Sequence, residues 1–461
     1  MRSQSTRNSI EDNERREDPC RADRARRVDG AKPGSLMARW TCHDRRMPVA
    51  SMRKRWAGDT WRSLAALVHD ESGLPADQIG ADLAPATRLA HTSPTNIGGY
   101  LWSVAAAYGL GLIDEREGIE RCRRALHTLD RLERHEPTGM FFNWYAFDTG
   151  ALITSWPGTG ARVIPFLSSV DNAWLAVGLR VISSAFPKVA DEAHPLLAAQ
   201  DFGAFYDPDA RPGSPAGEIS GGFWLTRPRR PHRAGTYCAG VEVVFHTRHH
   251  YDLLYSETRI ASYVGVVAGQ LPRAHFDILD AGTRTYRGRT VVATWGGAMF
   301  EALMPDLFVP EGHWAPDTFG RNHRDTVACH REFGLADKRY GYWGFSSCAH
   351  PGGGYSEFGV RPIAWLPRGY PSTKGGEGIV TPHAAALALP YAAQPAEENL
   401  SRIESELGCY GPGGFVDSVG VVSRRTADGY LAVDQACVLA ALANLDADGC
   451  LQRWFVTPDV E

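Results

Sequence analysis

The stretch TSPTNIGGYLWSVAAAYGLGLIDEREGIERCRRALHTLDRLER, residues 92–134, decides how the chain folds. Its first half opens on Ser93-Pro94, a capping side chain followed by proline at the first helical position, and predicts a helix from about Asn96 to Leu112. In its second half Ile119, Cys122, Leu126, Leu129 and Leu132 recur at three- or four-residue steps with Arg and Glu between them. That spacing predicts an amphipathic helix over 118–134.

The same grammar continues outward from this stretch. A third helix follows Ser168-Ser169 and carries Trp174, Leu175, Val177, Leu179 and Ile182. Others are expected after Ser256, near Thr290, at Thr381-Pro382, near Pro395 and near Val433. Several, such as AAALAL (384–389) and ACVLAALA (436–443), are apolar nearly all round, which implies burial on most faces. Strand-like stretches such as VEVVFH (241–246) are few and short. Helix count, buried helices and long connections point to a double ring in which inner helices are wrapped by outer ones. A two-domain α+β protein is the competing architecture.

Composition sets the outer limits. The chain has 461 residues, a net charge of -4 and 43% hydrophobic residues, and no run nears the roughly 18 apolar residues a spanning helix needs. Nothing in the charge balance favours nucleic acid or an anionic membrane as a partner. Nine widely spaced cysteines form no CxxC or zinc-like pattern and fit a reducing compartment best. Residues 1–55 mix many arginines with Asp, Glu, Ser and Asn without apolar periodicity, so they read as a disordered extension ahead of one domain over 56–461. That extension has no apolar h-region, so the chain reads as cytoplasmic. A later start at Met37, Met47 or Met52 fits equally well. Oligomeric state is not legible.

The loops carry the functional signal. MFFNWYAFDTG (140–150), GGFW (221–224), RYGYWGFSSC (339–348) and PGGGYSEFG (351–359) crowd aromatics beside glycines. Aromatic faces in such loops suit stacking on the apolar faces of sugar rings, although tryptophans that cap a large core look the same in sequence. Trp144, Trp343, Phe345 and Tyr355 are the expected platforms. There is no GxxxxGK[ST], GxSxG, HExxH or strand-borne GxGxxG, so no cofactor is expected. His246, His249 and His250 cluster, but no carboxylate pattern completes a metal site beside them, so packed or substrate-binding histidines are expected and no metal.

What remains for chemistry is a set of loop carboxylates: Asp148, Asp171, Glu242, Glu257, Glu301, Glu357, Glu377 and Asp417. Cleaving a glycosidic bond needs two of them, one to donate a proton and one to act as base or nucleophile. Each has a plainer reading. Asp171 stands three after Ser168, a capping-box spacing, and Glu257 opens a helix where the dipole favours negative charge. Glu301, in GGAMFEALMP (296–305), would oppose the dipole if its helix stops at Pro305, which suggests another demand on it. Asp417 lies in a glycine-rich loop, CYGPGGFVDSVG (409–420), where aspartate is also a common turn residue.

Long segments then add a family signal: TSPTNIGGYLWSVAAAYGLGLID (92–114), GMFFNWYAFDT (139–149), SSVDNAWLAVGL (168–179), YDLLYSETRIASYVGV (251–266), GGAMFEALMP (296–305), YWGFSSC (342–348), TPHAAALAL (381–389), YGPGGFVDSV (410–419) and DQACVLAALAN (434–444). Together they resemble the glucoamylase-like family of bacterial proteins, which is similar to the toroid domains of cyclic β-1,2-glucan synthases and of endo-β-1,2-glucanases. The resemblance spans about residues 85–460. It implies an all-α (α/α)6 toroid with long aromatic-rich loops at the active-site mouth, and hydrolysis of a β-glucan or related glycan.

By the same resemblance Glu257 is the general acid, Asp417 the general base and Asp171 a substrate-orienting acid. Glu301, Asp148, His250 and His383 join the aromatics in the expected substrate-binding set. Cyclic-glucan synthases carry a glutamate between serines where this chain reads Ser346-Ser347, which weakens a retaining mechanism and leaves an inverting one favoured. Two other functions compete. A polysaccharide lyase would use Tyr251 or His250 as base with Arg229, Arg230 and Arg233 against a uronate, and a glycan-binding protein would hold sugar without turnover.

Overall fold

Ser93 begins the first buried helix as its sequence predicts, its hydroxyl accepting the Asn96 N–H at 3.2 Å with Pro94 in the first turn. The structure, a computed structural model, describes residues 49–209, 216–230, 232–237, 242–458 and 460. Among these, helices alternate between two kinds. In chain order they are α1 (Val49–Leu67), α2 (Pro94–Gly109), α3 (Glu115–Leu129), α4 (Ser169–Ala185), α5 (Ala190–Ala198), α6 (Arg259–Val267), α7 (His275–Ile278), α8 (Met299–Leu303), α9 (Glu311–Trp314), α10 (Phe319–Glu332), α11 (Pro382–Leu387), α12 (Ala393–Leu407), α13 (Ala432–Asp446) and α14 (Cys450–Phe455).

The most buried of them pack side by side: α13 on α2, α2 on α4, α4 on α6, α8 on α11 and α11 on α13. Arg259 of α6 closes the circle by donating to the carbonyls of Glu301 and Ala302 in α8. These six form the inner ring of an (α/α)6 toroid. Helices α1, α3, α5, α7, α10 and α12 alternate with them along the chain and make the outer ring, and α3, α10 and α12 keep a polar outer face. Because every inner helix follows an outer one, the inner helices run the same way and their N-termini gather at one mouth.

Close approach within the ring depends on missing side chains. A Cβ on Gly98 of α2 would meet the Trp174 carbonyl oxygen at 2.3 Å, and one on Gly178 of α4 would meet the Gly98 carbonyl oxygen at 2.6 Å. Glycine at both places lets the two helix backbones touch. The cysteines among the described residues, Cys122, Cys329, Cys348, Cys409, Cys437 and Cys450, are free and buried, and behave as small apolar side chains. No described helix is long and apolar enough to cross a membrane.

Three expectations need correction. Helix α1 begins at Val49, so residues 49–55 are helical although their composition reads as disordered. Their arginines are matched by acids: Arg53 pairs with Glu397 at 2.6 Å and Asp446 at 2.8 Å, and Arg55 with Glu404 at 2.6 Å. The rest of the expected extension, residues 1–48, lies outside the described residues. No helix starts at Thr290. The β-branched run Thr290–Val292 instead pairs with Thr283–Tyr286 in a hairpin, whose turn residues Arg287 and Gly288 both have positive φ (49° and 79°). Among the described residues strands are more numerous than expected, but none exceeds six residues and all belong to the connecting loops. His246 and His250 stand on the strands Glu242–Thr247 and His250–Tyr251, the first of which falls on the strand-like stretch 241–246.

Candidate active site

The N-termini of the inner helices deliver a ring of polar side chains. The third helical position is Asn96 in α2, Asp171 in α4, Glu301 in α8 and Asp434 in α13. Glu257 stands in the turn just ahead of α6, and His383 is the second residue of α11. Backbone N–H groups at these ends favour acids, by about 0.3–1 kcal/mol each. Taking a carboxylate out of water costs several kcal/mol, so burial outweighs the dipoles here.

On one side of the mouth Asp171, Glu257 and Glu301 interact. Burial pushes the Glu257 carboxyl above the usual range and the charge on Asp171 adds to this, while the Glu257 backbone N–H, the Ser256 hydroxyl at 3.1 Å and the Arg259 charge pull it back. Glu301 is 3% exposed and is pushed up to about 8, first by burial and then by the charge on Glu257. Its carboxylate accepts the N–H groups of Gly296 at 3.1 Å and Ala298 at 3.2 Å. Glu301 therefore sits in the first turn of α8, where the dipole favours it, and not at a helix end as its sequence suggested. Asp171 takes the Thr95 hydroxyl at 2.6 Å and is likewise pushed up by burial. Tyr251 and Tyr370 border the group. Burial raises both phenols, the charges of Glu257 and Asp171 adding at Tyr251 and those of Glu301, Glu357 and Glu257 at Tyr370.

Across the mouth lies a second group. Asp417, Asp434 and His383 each bring a side-chain atom within 4.8 Å of the others, all buried, and His383 Nδ1 is 3.1 Å from Asp434 Oδ2. Burial is the main cause of the raised affinity of both aspartates for a proton, with Asp434 pushed up to about 7 and Asp417 well above its usual value. Two carboxylates this close in a dry site cannot both ionise, so the pair holds one proton between them at neutral pH. The Ala349 N–H donates to Asp417 Oδ2 and favours the negative charge on that side. Burial pushes His383 down to about 4, so it is neutral. Tyr355 is 61% exposed, yet its phenol is pushed well above its usual value, by burial and by the charges of Asp434 and Asp417.

Asp77 connects the two groups, because its charge raises both Asp171 and Asp434. It accepts the Asn96 amide at 2.8 Å and lies 3.6 Å from His91 Nε2. His91 packs against Trp144 and Trp156, with ring centroids 5.2 and 4.7 Å away. Half-buried Trp144 and Trp156 therefore sit beside this line of carboxyls, and Trp295 is 41% exposed next to the Gly296 N–H that Glu301 accepts.

Several expected site residues stand elsewhere. Trp343 (2% exposed) and Phe345 (0%) are core side chains, Phe345 packed among Phe333, Tyr340 and His330. Neither offers a face to a sugar. Asp148 is exposed in the turn after the strand Tyr145–Ala146. His250 is clamped between Asp207 at 3.0 Å and Glu218 at 3.8 Å, which serves the loop's own structure. Asp77, His91, Trp156 and Asp434 were missed in the sequence. For Asp434 a signal existed, since it repeats the placement of Asp171 three residues past a helix cap.

Among the described residues two triplets have a spacing that a metal ion could use, His383–Asp417–Asp434 and Asp306–Glu311–His323. In the second, Arg259 already neutralises Glu311 at 2.6 Å and the Tyr391 hydroxyl donates to Asp306 at 2.6 Å, so no cation is called for. Two cavities of about 600 and 650 Å³, one beside Arg180, His194 and Gln270 and one beside Thr290 and Arg321, are lined by none of the carboxyls at the mouth.

Comparison with known proteins adds the following. Residues 249–458 match the family described as "Putative glucoamylase", and residues 55–207 match a family of unknown function (DUF3131). The chain is 25% identical, over 527 aligned residues, to the cyclic beta-(1,2)-glucan synthase NdvB of Rhizobium meliloti. That alignment covers 88% of this chain but only 18% of the synthase, so the chain spans under a fifth of that relative's length. Among solved structures it is similar to an endo-beta-1,2-glucanase from Chitinophaga pinensis in complex with sophorotriose and glucose. The TM-score is 0.70 at 16% identity, covering 90% of this chain and 97% of that one. An endo-beta-1,2-glucanase from Talaromyces funiculosus with sophorose aligns at a TM-score of 0.66 and 11% identity, over 89% and 87% of the two chains. At these identities the likeness establishes the toroid fold.

Proposed function

We propose that this chain is a glycoside hydrolase that cleaves a β-linked glucan with two carboxyl groups, β-1,2-glucan being the first substrate to test. The observation that carries this reading is the line of interacting carboxyls Glu301–Glu257–Asp171–Asp77–Asp434–Asp417 across the mouth, with protons held near neutral pH on both sides. Glu257 is half-buried and raised, which suits a general acid that must keep its proton until the leaving oxygen takes it. Asp417 is the partner: it takes a proton from water as the water attacks the anomeric carbon, and the bond to the leaving sugar breaks on the opposite face. The product anomer is then inverted. Asp417 works as base when the pair's single proton sits on Asp434, the arrangement that the Ala349 N–H donated to Asp417 favours, and Asp171 and Asp77 bind sugar hydroxyls.

The lyase reading loses support. The Tyr251 phenol is pushed further from ionising, His250 is clamped, and Arg233 is tied to Asp207 at 3.1 Å. The likeness to the β-1,2-glucanases and the glucan synthase supports the choice of linkage. The test is incubation with β-1,2-glucan and a panel of other β-glucans, read by reducing ends and by product anomer. Turnover is expected for the native chain and a loss of at least about 100-fold for Glu257→Gln and Asp417→Asn, with fold and glucan binding retained. Near-native turnover in either variant removes that residue from the mechanism, and an unsaturated product absorbing in the ultraviolet would mean a lyase.

A further inference from the structure

A fully buried arginine lies two residues past Glu257, and every N–H of its guanidinium has an acceptor. Nε and Nη2 of Arg259 grip the two oxygens of Glu311 at 2.6 and 2.7 Å. The second Nη2 hydrogen goes to the Ala302 carbonyl at 2.8 Å, and Nη1 goes to the carbonyls of Ser256 at 2.8 Å and Glu301 at 3.0 Å. Those three carbonyls belong to the turn that carries Glu257 and to the helix that carries Glu301. Glu311 is in turn held by the Tyr263 hydroxyl at 2.8 Å and by His323 Nε2 at 3.2 Å. Burial pushes the Glu311 carboxyl up, but the Arg259 charge and bonds outweigh it and hold it down at about 2, so the pair stays ionised.

The plain reading is an ion pair that stabilises the fold. Such a pair is weak evidence for stability, since desolvating two charges offsets most of their attraction. It also leaves the three carbonyls unexplained. Helices α6 and α8 otherwise touch only sparsely, the one thin place in the inner ring, and Arg259 spans it.

We propose that Arg259 is a positioning residue for Glu257, fixing the turn 255–258 against the first turn of α8 through the carbonyls of Ser256, Glu301 and Ala302, with Glu311 as the buried anchor of its guanidinium. This rests on reading Glu257 as the general acid. A lysine in its place would keep the charge but could not make five bonds in one plane. Glu311 has a second effect through charge. Glu257 is faced by Asp171, Tyr251, Glu301, Tyr370, Ser256 and Arg259, of which Arg259 is the one cation that lowers its proton affinity. Neutralising Glu311 leaves the Arg259 charge uncompensated and lowers that affinity further.

The experiment measures kcat, KM and the pH dependence of kcat/KM for the native chain, Arg259→Lys and Glu311→Gln on the glucan that the native chain cleaves. For Arg259→Lys kcat should fall about 10- to 100-fold with KM within about twofold, as expected for a displaced proton donor. In Glu311→Gln the alkaline limb of kcat/KM should move to lower pH. Two variants that lose thermal stability but keep native kcat and an unmoved alkaline limb would overturn the proposal and leave a structural ion pair. Failure of the underlying reading looks different: Glu257→Gln would keep turnover in a chain whose Arg259 and Glu311 are intact, and the positioning role would fall with it.

Discussion

Trp144 and Trp343 share a side chain and stand in loops of similar composition, but burial separates their duties. Trp144 is half-buried, edge-on to His91 and Trp156, with Asp77 beyond the histidine. Trp343 is enclosed, with its backbone N–H and carbonyl both bonded to the Asn399 side chain at 3.1 and 2.8 Å. Replacing Trp144 with Ala should weaken glucan binding while the melting temperature moves by only a few degrees. Trp343→Ala and Phe345→Ala should each cost about 3–5 kcal/mol of stability, the usual price of truncating a large core aromatic. Parallel titrations and thermal melts check this; equal stability losses at 144 and 343 would return Trp144 to the core. An aromatic loop containing glycine was legible in both places, but which ring faces the mouth depends on packing partners tens of residues away, His91 for Trp144 and Asn399 for Trp343.

At the scale of elements, capping chemistry placed the helices and close packing placed their acids. Ser93 and Ser168 announce α2 and α4, and the hydroxyl of each accepts the N–H three residues on. Helix α8 has no such signal. Alanine stands at its cap, so its start was invisible in sequence and Glu301 read as a residue near the helix end. The α2–α4 contact makes a separate prediction. Gly98→Ala drives a methyl group into the Trp174 carbonyl, a backbone atom that cannot step aside, so stability should fall by at least about 1–3 kcal/mol. Since these helices carry Thr95 and Asp171, whose hydrogen bond spans the contact, turnover should fall as well. Chemical denaturation and kinetics of that variant measure both effects, and native values for both would show that the ring tolerates wider spacing.

Over the whole molecule, the mouth gathers more acid than its surroundings can neutralise, and that has a consequence for pH. In an unfolded chain these carboxyls ionise near pH 4, whereas in the fold Glu301 holds its proton to about 8 and Asp434 to about 7. The folded state thus binds more protons between those limits. This contribution to stability is complete below the unfolded pKa and is lost as pH rises through the folded one. The melting temperature should therefore decline from about pH 5 to about pH 8, and Glu301→Gln, which removes one such group, should flatten the decline. A native curve that rises over this range would mean that the carboxyls are ionised and paired with cations not seen at the mouth. The resemblance of long segments to a known family singled out Asp171, Glu257 and Asp417 and the all-α toroid, while the sequence by itself determined the helical periods, many helix starts and a wider set of loop carboxylates. These are local signals, written in residues within a turn or two of one another. Only the tertiary structure decided that Asp434, His383 and Asp77 join them, that Trp343 and Phe345 do not, and that Arg259 ties Glu257 to Glu301. Proximity in a toroid is set by ring closure between helices far apart in the chain, and burial, the main cause of the raised proton affinities, exists only once the ring has closed.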